Sequence, residues 1–338
     1  MKRIFYIFFF LVVFVNPSTA QAVYRIEVLQ AGKTPGFEEA YQGIVRGLET
    51  AGLSPAEVKI ARTIVEVNPD AEPYTWENLR VLMKIKMSAD LIIGRAPDLV
   101  ITLGTPATKF ARLKIAAAGI PLVFSCVAEP EVVGCLSKTH AGPGFTGVTM
   151  YADPAELMRL ARQGLPNLKK IGVIHSDDDY ASFYADEIKA RAGELGLEVL
   201  DRQVNLYDKV APAAEELVAQ GIDAFFVPMD RYYRLKNDQN WKILMKLSSD
   251  RKVPCIASVA GNVRGALLYT SPDWETLGSL AADQAAKILR GGVKPEDIPV
   301  ANPRNQGVLV DAEAFRKLGI ELPPKLLSRW PRHDNDRT

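Results

Sequence analysis

Short runs rich in β-branched and aromatic residues alternate along this chain with stretches whose apolar positions recur every three or four residues. That is the pattern of βαβ units feeding a parallel sheet. It predicts strands at Tyr24–Gln30, Val58–Glu66, Asp98–Leu103, Pro121–Val127, Lys170–His175, Glu198–Asn205, Asp223–Pro228, Val253–Ser258 and Ala266–Thr270. Two of them, around Ile171-Gly-Val-Ile and Ala224-Phe-Phe-Val, are unbroken apolar runs, as expected of strands covered on both faces. Between strands, Phe37, Tyr41, Ile44 and Leu48 form one helical stripe, and Leu277, Leu280 and Ile288 another. Asp153-Pro154 and Thr105-Pro106 each read as a capping residue followed by proline in the first helical turn.

The N-terminus breaks this pattern. Lys2 and Arg3 precede twelve uninterrupted apolar or aromatic residues, Ile4–Val15, and a small-x-small site at Ala20 and Ala22 follows. These are the three parts of a secretory signal peptide over residues 1–22. Twelve helical residues rise only about 18 Å, short of the ~30 Å a bilayer core demands. No cysteine stands at the cleavage site to carry a lipid, so the expected mature protein is free in the periplasm.

Composition adds exclusions. The chain has 338 residues, 41 Lys+Arg against 40 Asp+Glu, and 48% apolar residues, so it is globular rather than disordered, long enough for about two domains. No basic surplus or stripe suggests nucleic acid as a partner. Cys126, Cys135 and Cys255 are the only cysteines. The first two, nine positions apart, could close a small disulfide loop; all three could equally be buried thiols acting as small hydrophobes. No Cys-x-x-Cys or histidine pair accompanies them, so they suggest no zinc site. No metal and no cofactor is expected.

Catalytic motifs are scarce. There is no phosphate-binding Gly-x-x-x-x-Gly-Lys-Ser/Thr loop, no His-Glu-x-x-His and no Gly-x-Ser-x-Gly. Gly142-Pro-Gly144-Phe-Thr-Gly147 matches a dinucleotide fingerprint but lacks a strand before and a helix after, and reads as a flexible turn between lobes. Asp177-Asp178-Asp179 could hold a hard cation, but reads first as the cap of a helix beginning near Ala181. With His175 it forms the only cluster defensible as catalytic, and an enzyme is not expected.

Open α/β sheets bind ligands in the crevice outside the carboxyl ends of their strands. Those ends read Gln30-Ala-Gly-Lys-Thr, Leu103-Gly-Thr-Pro-Ala-Thr, Phe124-Ser, His175-Ser-Asp-Asp-Asp-Tyr, Val227-Pro-Met-Asp and Ala257-Ser. Gly104-Thr105-Pro106-Ala107-Thr108 carries most weight, because free N–H groups where a strand turns directly into a helix favour an anionic ligand group.

The order of Pro97-Asp-Leu-Val-Ile-Thr-Leu-Gly-Thr-Pro-Ala-Thr, Gly119-Ile-Pro-Leu-Val-Phe-Ser, Phe145-Thr-Gly-Val, Leu165-Pro-Asn-Leu-Lys-Lys-Ile-Gly-Val-Ile, Gly265-Ala-Leu-Leu and Ala286-Lys-Ile-Leu-Arg-Gly-Gly resembles the ABC-transporter substrate-binding proteins of the tryptophan/tyrosine-binding type. The resemblance covers about residues 24–328. It implies an α/β fold of two doubly wound parallel-sheet lobes joined by three crossover segments, the type I periplasmic-binding-protein fold. Lobe one would comprise 23–145 and 265–300, lobe two 146–264 and 301–328, with 329–338 a polar tail.

The resemblance also implies a function: capture of a small molecule, an amino acid or related polar or aromatic compound, and delivery to an ABC transporter permease by a monomer. A sensing subunit for a membrane receptor and a small-molecule enzyme are the alternatives. Carried over residue by residue, Thr105 and Thr108 would hold a carboxylate, Ser125 would add a hydroxyl, and Asp230 would meet an ammonium or hydroxyl. The loop bearing Asp177 and Tyr180 would cover the ligand, and Trp274 after Asp273 would be its apolar wall. The chain departs from the family pattern where it has Ala128-Glu129-Pro130, His175-Ser-Asp-Asp-Asp, Asp230-Arg231 and Thr270-Ser-Pro-Asp-Trp274.

Overall fold

The computed structural model describes residues 23–68, 76–258, 264–303 and 307–327. The expected signal peptide and the polar tail from 329 lie outside the described residues. Among the described residues no helix is long and apolar enough to cross a membrane.

Two sheets form. The first has strands β1 (Tyr24–Ala31), β2 (Val58–Val65), β3 (Leu99–Leu103), β4 (Leu122–Val127) and β5 (Phe145–Thr149), in the order β2-β1-β3-β4-β5 and all parallel. The second contains β6 (Lys170–Ser176), β7 (Glu198–Val204), β8 (Ala224–Val227), β9 (Cys255–Ala257), β10 (Leu268–Ser271) and β11 (Gly307–Val310), ordered β11-β10-β9-β8-β6-β7. Among the described strands only β10 and β11 pair antiparallel. The predicted strands form within about two residues of their expected ends, because each is an apolar run bounded by turn residues.

Successive strand side chains point to opposite faces, so each sheet needs two covers. On the first sheet, Ile26, Val28, Leu99, Ile101 and Val123 pack against helices α1 (Pro35–Thr50) and α8 (Trp274–Leu289). Leu29, Val100, Leu122 and Phe124 pack on the other side against α2 (Trp76–Gly94) and α3 (Thr105–Ala117). In the second sheet Ile171, Val173 and Phe226 face α4 (Pro154–Gly164), α5 (Asp179–Glu194) and α9 (Ala312–Leu318). Ile174, Phe225 and Val227 face α6 (Val210–Ala219) and α7 (Leu235–Arg251).

Three expectations are corrected. Gly142–Gly147 is not an interlobe turn: Gly147 lies inside β5, where a Cβ would sit 2.3 Å from the Phe124 ring, so only glycine lets β5 close on β4. Residues 146–149 therefore belong to the first sheet, and the chain crosses over only after Thr149. Residues 265–271 belong to the second sheet, since β10 pairs with β9 and β11, and the chain returns to the first lobe at α8. The helix α3 is not capped by Thr105; Gly104 occupies the cap position at φ +90° with no side-chain bond, whereas Asp153 caps α4 as expected through Ala155 N at 2.9 Å.

Cys126 and Cys135 do not pair. Both are free and buried, and they belong to different cores, Cys126 under α1 and α8 and Cys135 with Phe124, Val127 and Phe145.

Candidate functional site

The chain leaves the carboxyl end of β5 at Thr149 and crosses to the second lobe before α4. Asn302 Nδ2 donates to Tyr151 O at 3.2 Å, joining two crossings. From the second lobe, the Tyr184 hydroxyl on α5 donates to Ala152 O at 3.0 Å and lies 3.0 Å from Ser258 Oγ, just past β9. Pro303, Val308 and Thr270 join Tyr151, Ala152, Asp153, Glu156 and Leu157 around a cavity of about 300 Å³ beside the hinge.

On the first lobe, Gly104 lets α3 begin against Phe37, whose ring would be 2.9 Å from any Cβ there. Phe37 stacks edge-on against Trp274, centroids 6.1 Å apart. The indole lies over Gly36, where a Cβ would be 2.5 Å from it. Trp274 is held by Asp273, which caps α8 through the Thr276 backbone N–H at 2.9 Å and its hydroxyl at 2.6 Å. Thr105 and Phe37, which follow the interior strands β3 and β1, and Trp274 against Phe37 are all half-buried.

Other residues expected at the site have their polar atoms occupied within the fold. Thr108 is fully buried; its hydroxyl bonds Gly104 O at 3.0 Å and lies 2.9 Å from Thr102 Oγ1. Ser125, equally buried, donates to Leu277 O at 3.1 Å and ties α8 to β4. Asp230 accepts from Ser176 N at 2.6 Å, Ser176 Oγ at 3.0 Å and Tyr232 N at 2.9 Å. Burial raises its pKa and these three bonds oppose the rise. These bonds fix α3, α8 and the loop after β8. Asp177 accepts from Leu206 N at 3.1 Å and pins the loop after β7; Asp178 lies 3.7 Å from Arg231 Nε. The side chain of Tyr180 is outside the described residues. Among the described residues no group of three or more acidic, Cys or His side chains is placed to hold a metal.

Sequence reasoning passed over Glu129 as a site residue. It follows β4 and is 1% exposed, and neither carboxylate oxygen has a hydrogen-bond partner. Burial, with a smaller repulsion from Glu131 and Glu187 and an opposing attraction from Lys138, pushes its pKa up to about 8. A bulge precedes it: Cys126 has φ +59° and the β4/β5 register shifts between Phe124 and Val127. Such bulges re-aim the residues that follow. The signal in the sequence was a carboxylate placed directly after a wholly apolar strand end, Val127-Ala128-Glu129.

The described residues thus form two α/β lobes with mostly parallel sheets. The family described as ABC transporter substrate binding protein matches residues 25–333, and the chain belongs to it. None of the curated proteins compared matches the chain. Among solved structures, the ligand-free, open form of CD0873, a substrate-binding protein with adhesive properties from Clostridium difficile, is 23% identical with TM-score 0.75, covering 89% of this chain and 97% of that one. The ABC domain in complex with L-Trp from Streptococcus pneumonia is 23% identical with TM-score 0.69, covering 92% and 99%. A solute-binding protein from Bacillus halodurans with bound myo-inositol is 14% identical with TM-score 0.55, covering 89% and 99%. The fold is that of type I periplasmic binding proteins.

Proposed function

We propose that this substrate-binding protein takes an amino acid, or a related small compound with an aromatic or polar side chain, between its two lobes and delivers it to an ABC transporter permease. The observation that carries the reading is the packing of Phe37 between Trp274 and the start of α3, whose first turn no side chain caps. The rings offer an apolar wall, and the N–H groups of an uncapped helix start favour a carboxylate. Closure follows from differential affinity: a ligand touching both lobes stabilises the closed form over the open one. The L-Trp bound to the Streptococcus pneumonia structure supports the same ligand class. We infer too that residues 1–22 direct export and are removed, so that the exported protein begins at Val23.

Mass spectrometry of whatever co-purifies with the exported protein, followed by titration of that compound into wild type and Trp274→Ala, tests the reading. An amino acid or aromatic compound bound one to one, and at least tenfold more weakly by Trp274→Ala, is the expected result. A bound sugar, or unchanged affinity in the variant, overturns it.

A further inference from the structure

Glu129 stands two residues past the carboxyl end of β4. It follows β4 of the first lobe, and Tyr184 of the second lobe, bonded to the crossing at Ala152, is close enough to feel its charge. The groups facing it are Glu131 and Lys138 from the segment after β4, and Tyr184 and Glu187 from α5. Only Lys138 among these is a cation, and it is already engaged: its Nζ lies 2.8 Å from Glu187 and 3.7 Å from the centre of the Tyr151 ring. Glu129 is thus a carboxylate in a nearly solvent-free position without a counter-charge of its own. A buried carboxylate of this kind is costly unless it is protonated or meets a cation from outside the chain.

We propose that Glu129 receives a cationic nitrogen of the bound molecule, so that the ligands of this protein carry a protonated amine. The assignment rests on capture between the lobes, and it names the ligand group that the α3 start and the aromatic pair leave unmatched. Ammonium and carboxylate would form a charge-assisted hydrogen bond in a dry site. The empty site holds Glu129 largely protonated at pH 7, and arrival of the ammonium ionises it; its proton passes to the buffer.

The test uses compounds matched in shape: L-tryptophan, tryptamine and indole-3-propionate, with L-leucine, isoamylamine and 4-methylvalerate as the aliphatic counterparts. Each is titrated calorimetrically at pH 7, in two buffers of different ionisation enthalpy, into wild type and Glu129→Gln, the fold of the variant being checked by circular dichroism. Amine-bearing members are expected to bind at least tenfold more tightly than amine-free ones, releasing close to one proton per ligand. Glu129→Gln should remove both the preference and the proton release. Amine-free members binding as tightly as the others, or a preference that survives Glu129→Gln, overturns the assignment and leaves capture intact. Absence of binding by every compound overturns the assignment together with the proposed ligand class.

Discussion

Lys138 Nζ in the first lobe lies 2.8 Å from Glu187 Oε2 in the second, and the Tyr151 hydroxyl, from the crossing between the lobes, donates to the same oxygen at 2.9 Å. Both charged side chains are about three-quarters buried. This cluster latches the lobes beside the hinge. Burial works against the Glu187 charge, but the bonds from Lys138 and Tyr151 outweigh it and hold its pKa below the ordinary carboxylate value.

Glu187→Gln should therefore loosen the latch, at a cost of about 1 kcal/mol, and shift the ligand-free protein toward open forms. Small-angle scattering would register a larger radius of gyration. Because the native pKa is lowered, the stabilisation is full above the unfolded-state value of about 4.3 and fades as pH falls through the folded value. Wild type and variant should differ at pH 7 and converge near pH 3; an equal difference at both would remove the ion pair as its cause.

Glu129 predicts the opposite slope. Its folded pKa, about 8, stands above the value of an unfolded glutamate, so between the two the folded state binds more protons and loses stability as pH rises. The effect is at most roughly 5 kcal/mol across that window. Ligand-free wild type, unfolded in guanidinium at pH 5 and at pH 8.5, should lose stability relative to Glu129→Gln. Parallel behaviour of the two proteins would mean that Glu129 ionises as an ordinary surface carboxylate.

The strands and both lobes were legible in the sequence because parallel strands buried on two faces must be apolar runs, such as Ala224-Phe-Phe-Val. Strand β5 was less visible: Phe145-Thr-Gly-Val-Thr is short and contains the glycine that a ring from β4 requires. The site residues were legible only as strand-end positions. Residue type does not say where a hydroxyl points, and Thr108, on the first turn of α3, turns its own back to Gly104 O, four residues earlier. Ser125 bonds to a carbonyl 152 positions away. The isolation of Glu129 is likewise a tertiary fact, set by what Lys138 does instead.

The three thiols should remain reduced even after export to an oxidising compartment. Burial pushes the pKa of Cys126, Cys135 and Cys255 up to about 12 each, so little thiolate exists to attack a disulfide at neutral pH. Alkylation of protein unfolded without reductant should add three labels by intact mass. Addition of one label only would mean that two cysteines had paired, and that the cores containing Cys126 and Cys135 rearrange.

The first lobe closes through the contact of α1 with α8, segments more than 220 positions apart, and that contact is close because its surfaces are glycine. A Cβ at Gly278 would lie 1.9 Å from Ala40 O, and one at Gly43 would lie 2.2 Å from Glu275 O. Neither neighbour is a flexible side chain that can swing away; each is helix backbone, so the helices must separate. Gly278→Ala should therefore cost roughly 2–4 kcal/mol despite alanine's better helix propensity. Gly94→Ala, at the end of α2 with nothing within 4 Å of the added methyl, is the matched control and should be neutral or stabilising by up to ~1 kcal/mol. Chemical denaturation of the two variants beside wild type measures both. Since Trp274 opens α8, separation of the helices also shifts the indole away from Phe37, and Gly278→Ala should quench or red-shift a tryptophan emission component that Gly94→Ala leaves unchanged. Equal stability of the two variants would show that α8 accommodates a side chain at its crossing with α1, and that the glycines there are not what holds the lobe together.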